Sequence, residues 1–255
     1  AEELDLVLVI VNPLGHTPVM RELLDAGRPL AGIYLEKPMT LYLNEADAIV
    51  EECVERDIKL VVGHQLRYTP GWCEARELID EGAIGAVRFI RAVRHGPPLL
   101  THHTHQTNLM LYYMDDAAHK VEGIDAEMQA LGYVQFAGGA VGLIEAGQYE
   151  PSTGNGIFIT GEEGDIRVLG SETQVRNPST GGAWQTAAVP QIPNIFDDFL
   201  RWIVGGPEHG CSYRNGRATL EVLLAIFESS RSRGRVKLPL QRRGNALNEM
   251  IGAGE

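Results

Sequence analysis

The sequence predicts an α/β protein in two parts: a doubly wound parallel sheet, followed by an α/β unit with a large open, mainly antiparallel sheet. Three observations carry this expectation. Up to about residue 67, short runs that are apolar at nearly every position alternate with helical patterns, as strands buried on both faces require. From Asp125 to Val175 come short strands separated by glycine turns, and their alternation leaves one face to solvent. Two helical patterns then follow, before a polar, glycine-containing tail.

Taken in order, "LDLVLVIVN" (Leu4 to Asn12) reads as the first buried strand. "HTPVMRELLDAG" reads as a helix with Thr17 or His16 near its cap, Pro18 in its first turn and Gly27 as its stop. "PLAGIYLEKP" is the second strand. Asn44 is expected to cap "EADAIVEECVERD", whose Ala46, Ile49, Val50, Cys53 and Val54 share one helical face. "IKLVVGHQ" is the third strand, and the βαβαβ rhythm implies a parallel sheet. Beyond Arg67, "PGWCEARELIDEGAIG" is a helix, "AVRFIRAVRH" a half-exposed strand and "THHTHQTNLMLYYMDD" a helix. Strands are expected at "AEMQALGYVQF", "AVGLIEAGQY" and "GIFITGEEGDIRVLG", and helices around "NIFDDFLRWIVGG" and "ATLEVLLAIFESSRSRG". The expected division is 1–67, 68–240 and a loose tail at 241–255.

Composition excludes several functions. Lys and Arg number 22 against 34 Asp and Glu, a formal charge of -12, with no long basic run, which argues against nucleic acid and anionic membrane as partners. No apolar run reaches membrane-spanning length. The three cysteines, Cys53, Cys73 and Cys211, are widely spaced and form no CxxC, so neither a disulfide framework nor a cysteine zinc site is expected. A reducing cytoplasm fits that usage.

The stretch "GIYLEKPMTL" ends an apolar strand in a Glu-Lys pair immediately before Pro38. The carboxyl ends of parallel strands are where open α/β sheets bind ligands, so Lys37 is placed for chemistry. Read alone, it is more readily a surface lysine that ends a strand. His102, His103 and His105 invite a metal hypothesis, but on a helix His102 and His105 share one face while His103 points about 100° away from His102, and no carboxylate recurs at ligand spacing. No metal is expected. His64 and Arg67 of "GHQLRYTP" follow a strand end and are candidates either for substrate contact or for a solvated rim.

These residues resemble the Gfo/Idh/MocA oxidoreductases, which join a Rossmann dinucleotide-binding domain to an α/β domain with a large open sheet. The resemblance is carried, in order, by "YLEKPMTLYLNEADAIVEECVERDIKLVVGHQLRYTPGW", "FITGEEGDIRVLG", "IFDDFLRWIVGG" and "RATLEVLLAIFESSRSRGRVKLPL". It implies an NAD- or NADP-dependent dehydrogenase acting on a sugar or cyclic polyol, assembled as a homo-oligomer through the open sheet. By the same resemblance, Lys37 lies beside the nicotinamide and the substrate hydroxyl, and His105 is its active-site partner. Asn12, Pro13 and His16 of "VNPLGH" border the cofactor together with Glu36, and Thr101 and Asn108 fall at substrate-facing positions, to which His64 and Arg67 are added by their place after a strand end. Asn12 and His16 are equally readable as helix-capping residues.

Two departures accompany the resemblance. Members usually carry an aspartate four residues before the histidine and often another three after it; here those positions hold Thr101 and Asn108. The glycine-rich turn that holds a cofactor pyrophosphate is missing before the first strand, which reads as the fourth Rossmann strand. The expectation is therefore a chain continuous with a longer protein, or one that covers its first strand's edge by self-association. A cofactor-retaining glycosidase or lyase and a non-catalytic remnant stand as alternatives to the dehydrogenase.

Overall fold

The computed structural model describes residues 5–96, 98–115, 118–126, 129–147, 154–188 and 192–253. Parts of the expected segments at residues 4, 116, 127–128 and 148–149 lie outside these. The elements run β1 (Leu6–Val9), α1 (Pro13–Asp25), β2 (Gly32–Leu35), α2 (Leu43–Glu55), β3 (Lys59–Val62), α3 (Pro70–Asp80), β4 (Val87–His95), α4 (Leu99–His102) and α5 (Thr104–Met114). They continue with β5 (Ala118–Ala126), β6 (Gln129–Phe136), β7 (Val141–Gly147), β8 (Gly156–Gly161), β9 (Asp165–Leu169), β10 (Glu172–Arg176), β11 (Gln185–Thr186), α6 (Ile195–Ile203), α7 (Tyr213–Ser232), β12 (Val236–Lys237) and α8 (Ala246–Ala253).

The first sheet is parallel, in the order β1-β2-β3, and Val9, Leu35 and Val62 lie in one register. The three strands therefore end flush, and their following residues emerge side by side. Helix α1 begins earlier than expected: Asn12 is its cap, accepting from the Gly15 N–H at 3.1 Å, and Pro13 is its first residue. The Asn-Pro pair is itself a cap and first-turn signal, which outweighs Thr17 and leaves Pro18 inside the helix.

Side chains alternate across this sheet. Ile33, Leu35, Leu60 and Val62 join the core beneath α1 and α2, while Tyr34 and Val61 form a second cluster with Phe199 of α6 and Cys211. Gly32 lets Phe199 approach so closely that a Cβ there would lie 2.7 Å from its ring. Val61 also bridges Ser212, and the Val62 N–H donates to the Cys211 carbonyl at 2.9 Å. The division near residue 67 thus marks a chain crossing, and residues from α6 to the start of α7 return to complete the first unit. Strands buried on both faces need that second cover.

The second sheet has nine strands in the order β11-β10-β9-β8-β4-β7-β6-β5-β12, antiparallel throughout except for the β4/β7 pair. Helices α3, α5 and α7 lie on one face, over Ile90, Ala92, Val134, Ile144, Ile159 and Val168, all buried. Gly123 and Gly132 let Ile226 of α7 descend onto the sheet, where a Cβ would meet that side chain at 2.7 and 2.6 Å. The opposite face carries a row of registered neighbours, Tyr133, Leu143, Arg91, Phe158, Arg167 and Gln174. Leu131 and Tyr133 are exposed on it.

The tail expected to be loose is placed. Residues 246–253 form α8 against α7, with Ala246 and Leu247 buried and the buried Asn245 donating to the Leu41 carbonyl at 3.0 Å. Apolar residues between its polar ones supply an anchor that the tail's average composition hides.

Candidate active site

The flush strand ends bring three short segments together. After β2, the Glu36 carboxylate accepts the Lys37 backbone N–H at 3.1 Å and the Tyr34 hydroxyl proton. The Lys37–Pro38 peptide is cis. From there the Lys37 side chain crosses to the second unit, where Nζ donates to the Thr101 carbonyl at 3.1 Å. His16 is fully buried beneath this loop, Nδ1 lying 2.7 Å from the Pro38 carbonyl and Nε2 3.2 Å from the Val11 carbonyl. Its ring joins the loop after β2 to the loop after β1 and has no face left for a ligand. Asn12 is exposed at the turn, its side chain occupied in capping α1.

His64, beyond the end of β3, faces the start of α5. Its Nε2 pairs with Thr104 Oγ1 at 3.0 Å, and its ring meets that of His105 edge to face with centroids 5.9 Å apart. The Nδ1 atoms of both histidines are buried without a hydrogen-bond partner. Burial holds His105 down to about 3, with the charges of Lys37 and Arg94 adding to the effect. His64 lies well below the ordinary imidazole range, first through burial and then through His105, Arg67 and Lys37. Both rings are neutral at physiological pH, each with one donor and one acceptor. Lys37 is itself lowered from the usual amine range, chiefly by burial and further by Arg94, against an opposing pull from Glu36. The site thus gathers a lysine predisposed to lose its proton and two uncharged imidazoles.

Arg67 and Asn108 are committed elsewhere. Arg67 Nε donates to Asn108 Oδ1 at 2.6 Å, Nη2 to the Asn108 carbonyl at 3.2 Å and Nη1 to the Gly210 carbonyl at 2.8 Å, with the guanidinium 4.5 Å from the Tyr112 ring centroid. Asn108 Nδ2 donates to Thr219 Oγ1 at 2.9 Å. The pair fastens the turn after β3 to α5 and α7. Thr101 meets Lys37 through its carbonyl, and its hydroxyl lies 3.2 Å from His102 Nδ1.

Sequence reasoning passed over Arg94. It shares the helix-covered face of β4 with Ile90 and Ala92, both buried, and a charged residue in a buried phase was the signal. Of the remaining histidines, His103 is held down to about 4 by burial, and its Nε2 lies 3.0 Å from the Glu145 carbonyl. Among the described residues no group of three or more His, Cys, Asp or Glu side chains is placed to hold a metal ion.

The flush parallel sheet with a lysine at a strand end, followed by a large open sheet, is an arrangement that comparison with known proteins also finds. Residues 1–64 match the family model described as "Oxidoreductase family, NAD-binding Rossmann fold". A scyllo-inositol 2-dehydrogenase (NAD(+)) of Bacillus subtilis is 25% identical over 192 residues, covering 65% of this chain and 55% of the relative. A myo-inositol dehydrogenase of Streptomyces leeuwenhoekii is 24% identical over 89% of this chain and 79% of its own length. The aldose-aldose oxidoreductase of Caulobacter crescentus, solved with glycerol, shares the fold at a TM-score of 0.80 and 21% identity, covering 92% of this chain and 79% of that one. The chain spans about half the length of several curated relatives it matches, at 53%, 55% and 52% of three of them.

Proposed function

We propose that this chain carries the catalytic part of an NAD- or NADP-dependent dehydrogenase that moves hydride between a nicotinamide and a hydroxyl or ketone of a sugar or cyclic polyol. The observation that carries the reading is Lys37, lowered by burial and held against the Thr101 carbonyl beside the neutral His105. The inositol dehydrogenases among its relatives support the substrate class.

The residues present fit the nicotinamide end of a dinucleotide. The strand ends deliver Asn12, Pro13, Glu36 and Lys37 to one edge, and the unpartnered Nδ1 atoms of His64 and His105 mark polar capacity that the protein leaves unused. When bound, the nicotinamide supplies the hydride acceptor. In the oxidation direction Lys37 Nζ takes the hydroxyl proton, and in reduction it returns one. A neutral His105 holds the same hydroxyl without adding charge, and Glu36 sets how readily Lys37 gives up its own proton. His16 shapes the loop, and Arg67 with Asn108 fixes the His64 turn.

Assembly of copies through the open face of the nine-stranded sheet, and a cytoplasmic setting for three free buried cysteines, belong to the same proposal. Fluorescence titration with NADH and NADPH, followed by a polyol screen, tests it. Lys37→Met is expected to lower turnover at least ~100-fold while leaving nicotinamide affinity within a few-fold. Undiminished turnover in that variant sinks the reading.

A further inference from the structure

We propose that the substrate is a carboxylate-bearing sugar or polyol, its carboxylate received by Arg94 beside Lys37. This rests on the reading of Lys37 as the group that handles the hydroxyl proton.

Arg94 lies at the end of β4, opposite Ala146 of β7, on the sheet face over which α4 and α5 pass. Its charge acts on Lys37, His102, His103 and His105 together. Its Nε is buried and has no hydrogen-bond partner, and among the described residues no carboxylate pairs with it. Other half-buried arginines of this chain are matched. Arg91 forms a two-pronged pair with Glu145 at 2.6 and 2.8 Å, Arg217 holds Asp47 and Glu221, and Arg76 holds Asp80. A fork-shaped donor left open next to the reacting group is what a substrate oxyanion fits.

The charges acting on Lys37 specify the anion. Lys37 and Arg94 bring two positive charges and Glu36 one negative, and the Glu36 carboxylate is already engaged by Tyr34 and the Lys37 N–H. When Lys37 is neutral, as the oxidation step requires, Arg94 remains the cation that no carboxylate engages among the described residues, which suits a monoanionic carboxylate better than a dianionic phosphate. Thr101 and His102, at the same edge, bring a hydroxyl and an imidazole ring and no negative charge to repel an acid.

The test is calorimetric titration of the full chain, with and without NAD and NADP, using D-gluconate and D-glucuronate against their neutral counterparts sorbitol and D-glucose, with D-glucose 6-phosphate as the phosphate arm. The acids are expected to bind more tightly than the neutral compounds. Arg94→Gln, checked for native circular dichroism, is expected to weaken the acids on the order of 30-fold and leave the neutral compounds unchanged, with Arg94→Lys recovering part of the loss. Equal binding of acid and neutral compounds, absence of acid binding, an unaltered acid affinity in Arg94→Gln, or preference for the phosphate each overturns the proposal. Acid binding that depends on Arg94 but produces no reduced nicotinamide upholds the carboxylate site and sinks the dehydrogenase reading, so the two failures are distinct.

Discussion

Lys37 Nζ donates to the Thr101 carbonyl at 3.1 Å, joining the loop after a strand of the first sheet to the short helix that precedes α5 in the second unit. A backbone carbonyl can accept from a protonated or a neutral lysine amine. It anchors the side chain in both states, as a group that loses and regains a proton requires.

The pH dependence follows from the charges around that amine. Oxidation needs Lys37 deprotonated, so the rate rises with pH and levels off above an apparent pKa that burial and Arg94 hold below the ordinary lysine value. Glu36 favours the protonated form, and Glu36→Gln is expected to move the rising limb to lower pH. A limb that moves to higher pH in the pH–rate profile of this variant would exclude the assigned relationship.

Stability should fall on acidification. His64, His103 and His105 bind protons more weakly folded than unfolded, with His103 at about 4 and His105 at about 3. Their contribution is complete above the unfolded value near 6.5 and is lost as pH falls toward the folded values, at about 2 kcal/mol each for His103 and His105 by pH 5, with His64 acting in the same direction. Urea denaturation at pH 7, 6 and 5 measures it, and an unchanged midpoint would refute it.

Asn108 shields a cation. Asn108→Ala removes the acceptor from Arg67 Nε and the donor to Thr219, leaving a buried guanidinium with an unmet N–H, at an expected cost of about 3 kcal/mol. Asn108→Asp keeps an acceptor for Arg67 and should cost less. Denaturant midpoints of the two variants give the order directly.

The open face of the large sheet should mediate self-association. Tyr133 and Leu131 stand exposed on β6 beside Leu143. Light scattering at micromolar concentration is expected to give a multiple of the chain mass, and Tyr133→Arg to return it to one copy. A single-copy mass for the parent protein would end this proposal.

Much of the fold was legible because strand and helix periods are local. The alternation through β4 stands where the pattern placed it, whereas β1 takes the expected place at Leu6–Val9 but buries only Val9 and leaves Leu8 exposed. The start of α1 was misplaced because two proline signals compete within a few residues, and the Asn12–Pro13 pair wins through its cap. What the pattern could not show was long-range. Phe199 reaching Gly32, or Asn108 gripping Arg67 from 41 positions away, leaves no periodic trace. Of the proposed site, Lys37 was singled out by its place at a strand end and His105 through a resemblance, while Arg94 looked like one more polar residue on a half-exposed strand.

Because α6 covers the underside of β2 and β3, the first unit cannot be finished in the order in which it is made. Its three strands have left the ribosome by Val62, yet Tyr34 and Val61 wait for Phe199 and Cys211 near the other end of the chain. During synthesis that apolar face stays uncovered while strands β4 to β11 of the second sheet are translated, so this is the stretch of the nascent chain where a chaperone would have the longest opportunity to bind.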